Sequence, residues 1–381
     1  MKRELCFSIS MCIVVFGIPA AFLAEGSEKR EASNATIQTV FSKWRLAEKR
    51  SSKFRFSWVL NSVFPPGSLP VFNPKRSIAQ SQEITNANRL SLSVAGELMR
   101  FTNDGPHWMP SNAQFIDRQY ISVYDGTDSK NYWSESSNEG DIETIHKIGF
   151  VNLNSQNVDV VDYHLWPILM SYRGLHAKLG GFGPGEWTLG KDTALVQGRQ
   201  CIMLEKKQGD CSETCWVDVE RDCTILRYWL DASGIILRID TSYRQDPLQG
   251  WVPFTWTCNS LQPKTLKLNE SSVARDVSYT FGDSIEMNQF QFDFPPQSEI
   301  TDFKQKIRYI VLSDGSRRII TEAERARGAT YSEFLKTASG KAGLPQPRSL
   351  RLWYVVCPIL IVAAGTLAWW RLRRFVRKTK G

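Results

Sequence analysis

One stretch near the C-terminus constrains this chain before anything else. Leu352–Trp370 (LWYVVCPILIVAAGTLAWW) carries no charged residue. As a helix rising about 1.5 Å per residue it would reach roughly 28 Å, close to the hydrocarbon thickness of a bilayer. Trp353 and Tyr354 stand at one end and Trp369 and Trp370 at the other, the interfacial positions amphipathic rings favour. The tail that follows, 371–381, holds Arg371, Arg373, Arg374, Arg377, Lys378 and Lys380 and no acid. The reading is a single transmembrane helix over 352–370 with a basic cytoplasmic tail, because cationic flanks stay on the cytoplasmic side. A soluble core helix has no need of such a tail. Pro358 kinks a membrane helix without excluding it.

The N-terminus fits the same topology. Lys2 and Arg3 precede an apolar run from Met11 to Ala24, and then the polar Glu25-Gly-Ser-Glu. That is the layout of a secretory signal peptide over 1–24, with an uncleaved signal anchor as the alternative. The expected order is signal peptide 1–24, an extracytoplasmic domain over 25–337, a linker over 338–351, the span and the tail. The formal charge is +8, but the tail holds six of those charges, Arg351 one and the leader one, so residues 25–350, the outward domain with most of its linker, are neutral. The basicity therefore serves membrane topology, and nucleic acid is excluded as a partner.

Cysteine usage divides the same way. Cys6 and Cys12 lie in the leader and Cys357 in the span, which leaves Cys201, Cys211, Cys215, Cys223 and Cys258 outside. In an oxidising compartment these five are disulfide candidates, with at least one left over and the pairing open. Zinc is the sharper alternative, but Cys211-x3-Cys215-x7-Cys223 lacks the paired CxxC spacing of strong zinc signatures. No metal site is expected.

Within the outward domain, apolar residues from Ile37 to Ala47 recur at helical spacing. At Phe54 the period changes to two: Phe54, Phe56, Trp58 and Leu60 alternate with polar Arg55 and Ser57, and Leu90, Leu92 and Val94 repeat the pattern. Asp125-Gly126 is a turn signal, and 165–179 is helical in part. From Trp187 on, strands are expected over 195–206, 215–219, 223–230, 235–244 and 251–258, with short turns between them. Phe290, Phe292 and Phe294 alternate before Pro295-Pro296, and 321–337 is helical. Close spacing of strands argues for an antiparallel meander over βαβ units. The fold class is thus mainly β (α+β), an antiparallel sheet with a few covering helices and one C-terminal transmembrane helix.

Catalytic motifs are missing: the sequence has no GxSxG, HExxH or GxxxxGK[ST]. The four histidines (His107, His146, His164, His176) are scattered, although His164 and His176 flank one helix. No enzyme activity and no cofactor are expected. Ten of the thirteen tryptophans fall in the outward domain, several on alternating strands. A sheet with one aromatic face only partly covered by helices would form an apolar groove, lined by Phe54, Phe56, Trp58, Leu60, Leu90, Leu92 and Val94.

A helix followed by SKFRFSWVL, GELMRF and QYISVYDGTDSKNYW resembles the LolA/LolB-like lipoprotein-carrier superfamily. Gly198-Arg-Gln-Cys-Ile-Met-Leu-Glu205, Trp216-Val-Asp-Val-Glu-Arg-Asp222 and Leu226-Arg-Tyr228 are similar to stretches of LolA-like and RseB-like extracytoplasmic domains. Phe290–Phe294 with its two prolines resembles their closing strand. The resemblance covers about 36–312 and implies a strongly curved antiparallel sheet, a half-open barrel, around an apolar groove. The C-terminal tether and the cysteine cluster depart from the soluble carriers. The implied function is a membrane-tethered extracytoplasmic (periplasmic-side) protein holding a lipid or lipoprotein acyl chain. The alternative is an envelope sensor or structural module that binds another envelope protein and no small ligand.

Overall fold

The computed structural model describes residues 36–70, 81–110, 113–139, 142–152, 162–175, 187–232 and 234–338. The leader, nearly all of the linker, the span and the tail lie outside them, as does His176. Among the described residues no helix is long and apolar enough to cross a membrane. The architecture is mainly β with few helices, and packing divides it into two compact units. Unit 1 draws on Met1–Thr127 and Ser155–Gln291, unit 2 on Asp128–Asn154 and Phe292–Gly381.

Unit 1 begins with helix α1 over residues 36–50. The strands β1 (Lys53–Phe64), β2 (Ile84–Ala95), β3 (Leu98–Met109) and β4 (Gln114–Tyr124) follow. Beyond unit 2's first insertion come a 3-10 turn (Tyr163–Leu165) and α2 (Trp166–Tyr172). The remaining strands are β7 (Thr188–Val196), β8 (Arg199–Gln208), β9 (Cys211–Asp218), β10 (Thr224–Ala232), β11 (Ile235–Asp246), β12 (Gly250–Leu261) and β13 (Leu268–Phe281). The hydrogen-bonded order is β4-β3-β2-β1-β13-β12-β11-β10-β9-β8-β7, with the strand pairs described in detail all antiparallel. Strand β1 sits between β2 and the distant β13, so this early segment closes the sheet's two halves together.

The alternation in β1 is what seats the core. Phe54, Phe56, Trp58 and Leu60 all turn inward and are buried. They join Leu90, Leu92 and Val94 of β2 beneath a layer from α1 (Ile37, Val40, Phe41, Trp44) and α2 (Ile168, Leu169, Met170, Tyr172). Phe54 and Phe56 meet Tyr172 at ring-centroid distances of 5.3 and 5.6 Å. Trp58 stands edge-on to Trp256 at 5.4 Å. Helix α1 is anchored at one point by Trp44, whose indole N–H donates to the Cys223 carbonyl at 2.8 Å. That carbonyl is presented by a turn in which Asp222 and Cys223 both hold left-handed backbone, φ 52° and 62°.

Two sequence expectations need correcting. The five cysteines are free thiols, not disulfides. Four of them face other residue types across the ladder: Cys201 opposes Ala194, Cys215 opposes Leu204 and Tyr228, Cys258 opposes Ile239 and Ser272, and Cys211 opposes Gln208. Cys223 lies in the turn after β9, where its carbonyl takes the α1 anchor and its thiol is buried and free. A disulfide needs facing Cβ atoms, and clustering in sequence did not provide that here. Burial also pushes the Cys201 and Cys223 thiols up to about 11, so they behave as small apolar groups. Second, Phe290–Phe294 does not form a strand. A 3-10 turn (Met287–Phe290) leads into irregular chain, where the following prolines cannot donate to a ladder.

Unit 2 contains β5 (Ser129–Glu139), β6 (Ile142–Asn152), β14 (Glu299–Asp302), β15 (Ile307–Val311) and β16 (Arg317–Ile319). Its order is β5-β6-β14-β15-β16, and the β6–β14 pair is parallel. The short helices α3 (Glu322–Ala326) and α4 (Tyr331–Ala338) follow, and Tyr331 and Phe334 pack on Ile310 and Ile320. Thr321 and Glu324 form a capping box at α3, which satisfies the orphan donors of its first turn.

Among the described glycines of unit 2, Gly149 of β6 is the one with no room for a side chain. A methyl there would lie 2.5 Å from the Phe294 ring and 2.6 Å from Ile300 Cδ1. Gly149→Ala is therefore expected to destabilise unit 2 by about 1–3 kcal/mol through overpacking, read as a lowered melting temperature. A variant as stable as the parent would show that Phe294 moves aside freely.

Candidate functional site

The described part of unit 1 contains a cleft of about 400 Å³ at the end of the sheet where β1 and β2 meet β3 and β4. Its walls follow from strand alternation. Leu60, Ser62 and Phe64 on β1 share one face, and so do Asn86 and Asn88 on β2. Register sets Ser62 opposite Asn86 and Leu60 opposite Asn88. On the next pair, Asn103 opposes Tyr120 and Trp108 opposes Phe115. Phe115 touches both Trp108 and Phe64, at 5.2 and 5.9 Å between centroids. Trp108 is steadied by its indole N–H, which donates to the Pro70 carbonyl at 2.7 Å.

Gly105 lets β3 lie this close to β2. Its φ is 145°, and a Cβ there would sit 3.0 Å from the Ala87 carbonyl oxygen and 3.1 Å from Asn88. Only glycine combines that backbone with that spacing.

One end of the cleft is ionic. The Asp162 carboxylate caps the 3-10 turn, accepting from the His164 backbone N–H at 3.0 Å and lying 2.5 Å from its Nδ1. On the other side, His164 Nε2 is 3.4 Å from Glu270 Oε1, an ion-pair contact. Glu270 also accepts from Tyr163 Oη–H at 2.8 Å and from Ser272 Oγ–H at 2.6 Å, and Ser272 meets Ser62 at 2.6 Å.

The electrostatics follow from one cation buried between two anions. Burial works to lower the His164 pKa, but Asp162 and Glu270 outweigh it, and the ring is raised well above an ordinary histidine. Burial works to raise Glu270 and Asp162, but their bonds to His164 win and hold both carboxyls low. His107 is the opposite case: burial, helped by the nearby Arg118 guanidinium, lowers it to about 4, against weaker pulls from Asp162 and Asp104. At neutral pH the cleft therefore holds an imidazolium at His164 and a neutral ring at His107.

These directions predict a stability profile. The His164 contribution is complete below its unfolded pKa of about 6.5 and fades as pH rises toward the raised folded value. The contributions of Glu270 and Asp162 are complete above about 4.3 and fade as pH falls. His107 must gain a proton in an unfavourable place, so it penalises folding progressively as pH drops from about 6.5 to 4. Melting temperature is expected to peak near pH 6–7 and to fall on both sides. A profile that stays flat up to about pH 9 would contradict the His164 pairing.

Chemically, the triad is closed. Both His164 nitrogens face carboxylates and both Glu270 oxygens accept hydrogen bonds, so neither group is poised to take a proton from a substrate. The rest of the lining is aromatic and amide.

Of the seven residues expected to line a groove, Leu60 alone borders this cleft. Phe54, Phe56, Trp58, Leu90, Leu92 and Val94 lie in the core under α1 and α2. Sequence reasoning did not single out Asn88, Trp108, Phe115, Asp162 or Glu270. The one available signal was local: Asp162-Tyr-His164 beside a proline-bearing helix start, the pattern of a carboxylate cap with a histidine in reach.

No known protein family matches this chain, and no curated protein matches it. Among solved structures, similarity is found to a crystal structure of a DUF1329 family protein from Desulfovibrio piger ATCC 29098. It has a TM-score of 0.36 and 12% identity over 66% of this chain and 97% of that one. A structure of PNGF-II gives a TM-score of 0.21 and 7% identity, over 65% of this chain and 31% of that one. Likeness at these levels carries no functional argument.

Proposed function

We propose that this chain is a membrane-tethered extracytoplasmic binding protein, of LolA/LolB-like kind, that holds the apolar part of a lipid or lipoprotein acyl chain and catalyses no reaction. The observation that carries this reading is the cleft itself, walled by Leu60, Phe64, Phe101, Trp108, Phe115 and Tyr120. Its size falls in the usual range for small-ligand sites, about 300–1,000 Å³. Each methylene moved from water into such walls contributes about 0.8 kcal/mol. The closed Asp162–His164–Glu270 triad favours binding over acid–base catalysis, since its histidine has no free lone pair. The tether and the outward orientation rest on the uncharged 352–370 stretch, its basic tail and the leader.

The test is photoaffinity labelling of the full chain in its membrane with a diazirine-bearing alkyl amphiphile. Labelled peptides are expected from 98–124, the β3–β4 ribbon, and labelling should drop at least about tenfold in Phe115→Glu, since a buried charge opposes the chain's entry. Labelling confined to 352–370, unchanged in the variant, would reject the cleft and favour a protein-interaction module.

A further inference from the structure

Among the buried polar atoms of the cleft that have no hydrogen-bond partner are an amide oxygen and an uncharged ring nitrogen. Asn88 is buried at 7% exposure, and its Nδ2 donates to Asn103 Oδ1 at 2.9 Å. Its own carbonyl, Oδ1, is buried with no hydrogen-bond partner, and so is His107 Nε2. Both residues line the same cleft. An unpaired buried polar atom is costly, and an amide oxygen and a ring nitrogen unpaired in one cavity mark where a ligand's polar group is received.

We infer that the ligand carries an uncharged hydrogen-bond donor, a hydroxyl or amide N–H, beside its apolar chain, and that Asn88 Oδ1 accepts from it, with the His107 ring as the second hydrogen-bonding group at that place. This rests on the apolar reading of the cleft and adds the class of head group. Asn88 Oδ1 can only accept, so the ligand must donate. A carboxylate or phosphate offers Asn88 no proton at neutral pH. It would also be drawn in beside Asp162 and Glu270, whose charges His164 only partly offsets, with Arg118 as the one further cation lining the cleft. His107 is held neutral by burial and Arg118, so it supplies a ring nitrogen for a hydrogen bond and no charge for an anion. The amides of Asn86, Asn88 and Asn103 surround the place with uncharged polarity.

Competition experiments test this on the full chain in its membrane, using the alkyl photoprobe and three competitors of equal chain length: tetradecanol, tetradecanamide and tetradecanoate. At about pH 8.5 the carboxylate is ionised and His107 is neutral. The alcohol and amide are expected to displace the probe at roughly tenfold lower concentration than the carboxylate. Asn88→Ala, which removes the acceptor, should bring that ratio close to one, whereas Asn88→Gln keeps an uncharged amide acceptor and should retain much of it. The ratio is measured within each variant, so a change in stability or membrane partitioning does not imitate it. Should Asn88→Ala fail to fold, Asn88→Leu, of nearly the same volume and without an acceptor, reads the same fall in the ratio. Equal displacement by all three competitors overturns the head-group assignment and leaves the apolar cleft standing. No displacement by any of them overturns both.

Discussion

Replacing His164 with alanine is expected to destabilise unit 1 by about 3–5 kcal/mol, the range found when one partner of a buried ion pair is removed. The side chain stands between Asp162 and Glu270 and is 13% exposed. Its loss leaves two carboxylates facing one cavity with no cation between them. They also retain the neighbours that make them poor proton acceptors, Tyr163 and Ser272 at Glu270. Equilibrium denaturation followed by tryptophan fluorescence reads the effect. Adding Asp162→Asn and Glu270→Gln removes the stranded charges and should recover a large part of the loss, because the deficit is mainly uncompensated charge. A loss that is the same in the single and triple variants would mean that His164 acts by packing alone.

Trp256→Ala is the second large effect, again about 3–5 kcal/mol, for a different reason. Trp256 is 1% exposed and meets Trp58 edge-on in the layer between the sheet and its helices. Truncation leaves a cavity that strands β1, β12 and β13 cannot close without giving up their ladder. The indole N–H groups of Trp58 and Trp256 are both buried without an acceptor, so the pair contributes area and shape and no hydrogen bond. Trp256→Phe, which keeps a ring and removes an unpaired donor, should accordingly lose less than about 1.5 kcal/mol. If phenylalanine were as damaging as alanine, the N–H would have to be bonded after all.

What could be read in advance follows the physics of each element. Strand β1 was legible because one face is apolar at every second position, and α1 because its apolar residues keep a 3.6-residue period. The turn at Gln197-Gly198 was not: the stretch 195–206, apolar at both Leu195-Val196 and Cys201–Leu204, reads as one strand. In the structure φ values of 51° and 74° at these two residues reverse the chain and split it into β7 and β8. A type I′ turn needs that backbone, and Gln-Gly is a weak form of its usual Asn-Gly signal.

The groove was legible as an apolar face but not as an open one. Alternation says which side of a strand is buried and nothing about what buries it, and here α1 and α2 do. The cleft was harder still. Its walls mix Asn86, Asn88 and Asn103 with aromatics, so neither period stands out, and its ionic end joins Tyr163 to Glu270 across 107 residues. Spacing rules reach a few residues along a helix or strand, and contacts of that kind are made only by the fold.

The central claim is that the cleft between β1, β2, β3 and β4, and not the covered face under α1 and α2, accepts an apolar chain. The most direct measurement is native mass spectrometry with lipid extraction on the full chain released from membrane nanodiscs, comparing the parent with Phe115→Glu. A retained lipid at about one per chain in the parent, lost in the variant at unchanged melting temperature, is the expected result. Equal lipid in both proteins, or none in either, would contradict it.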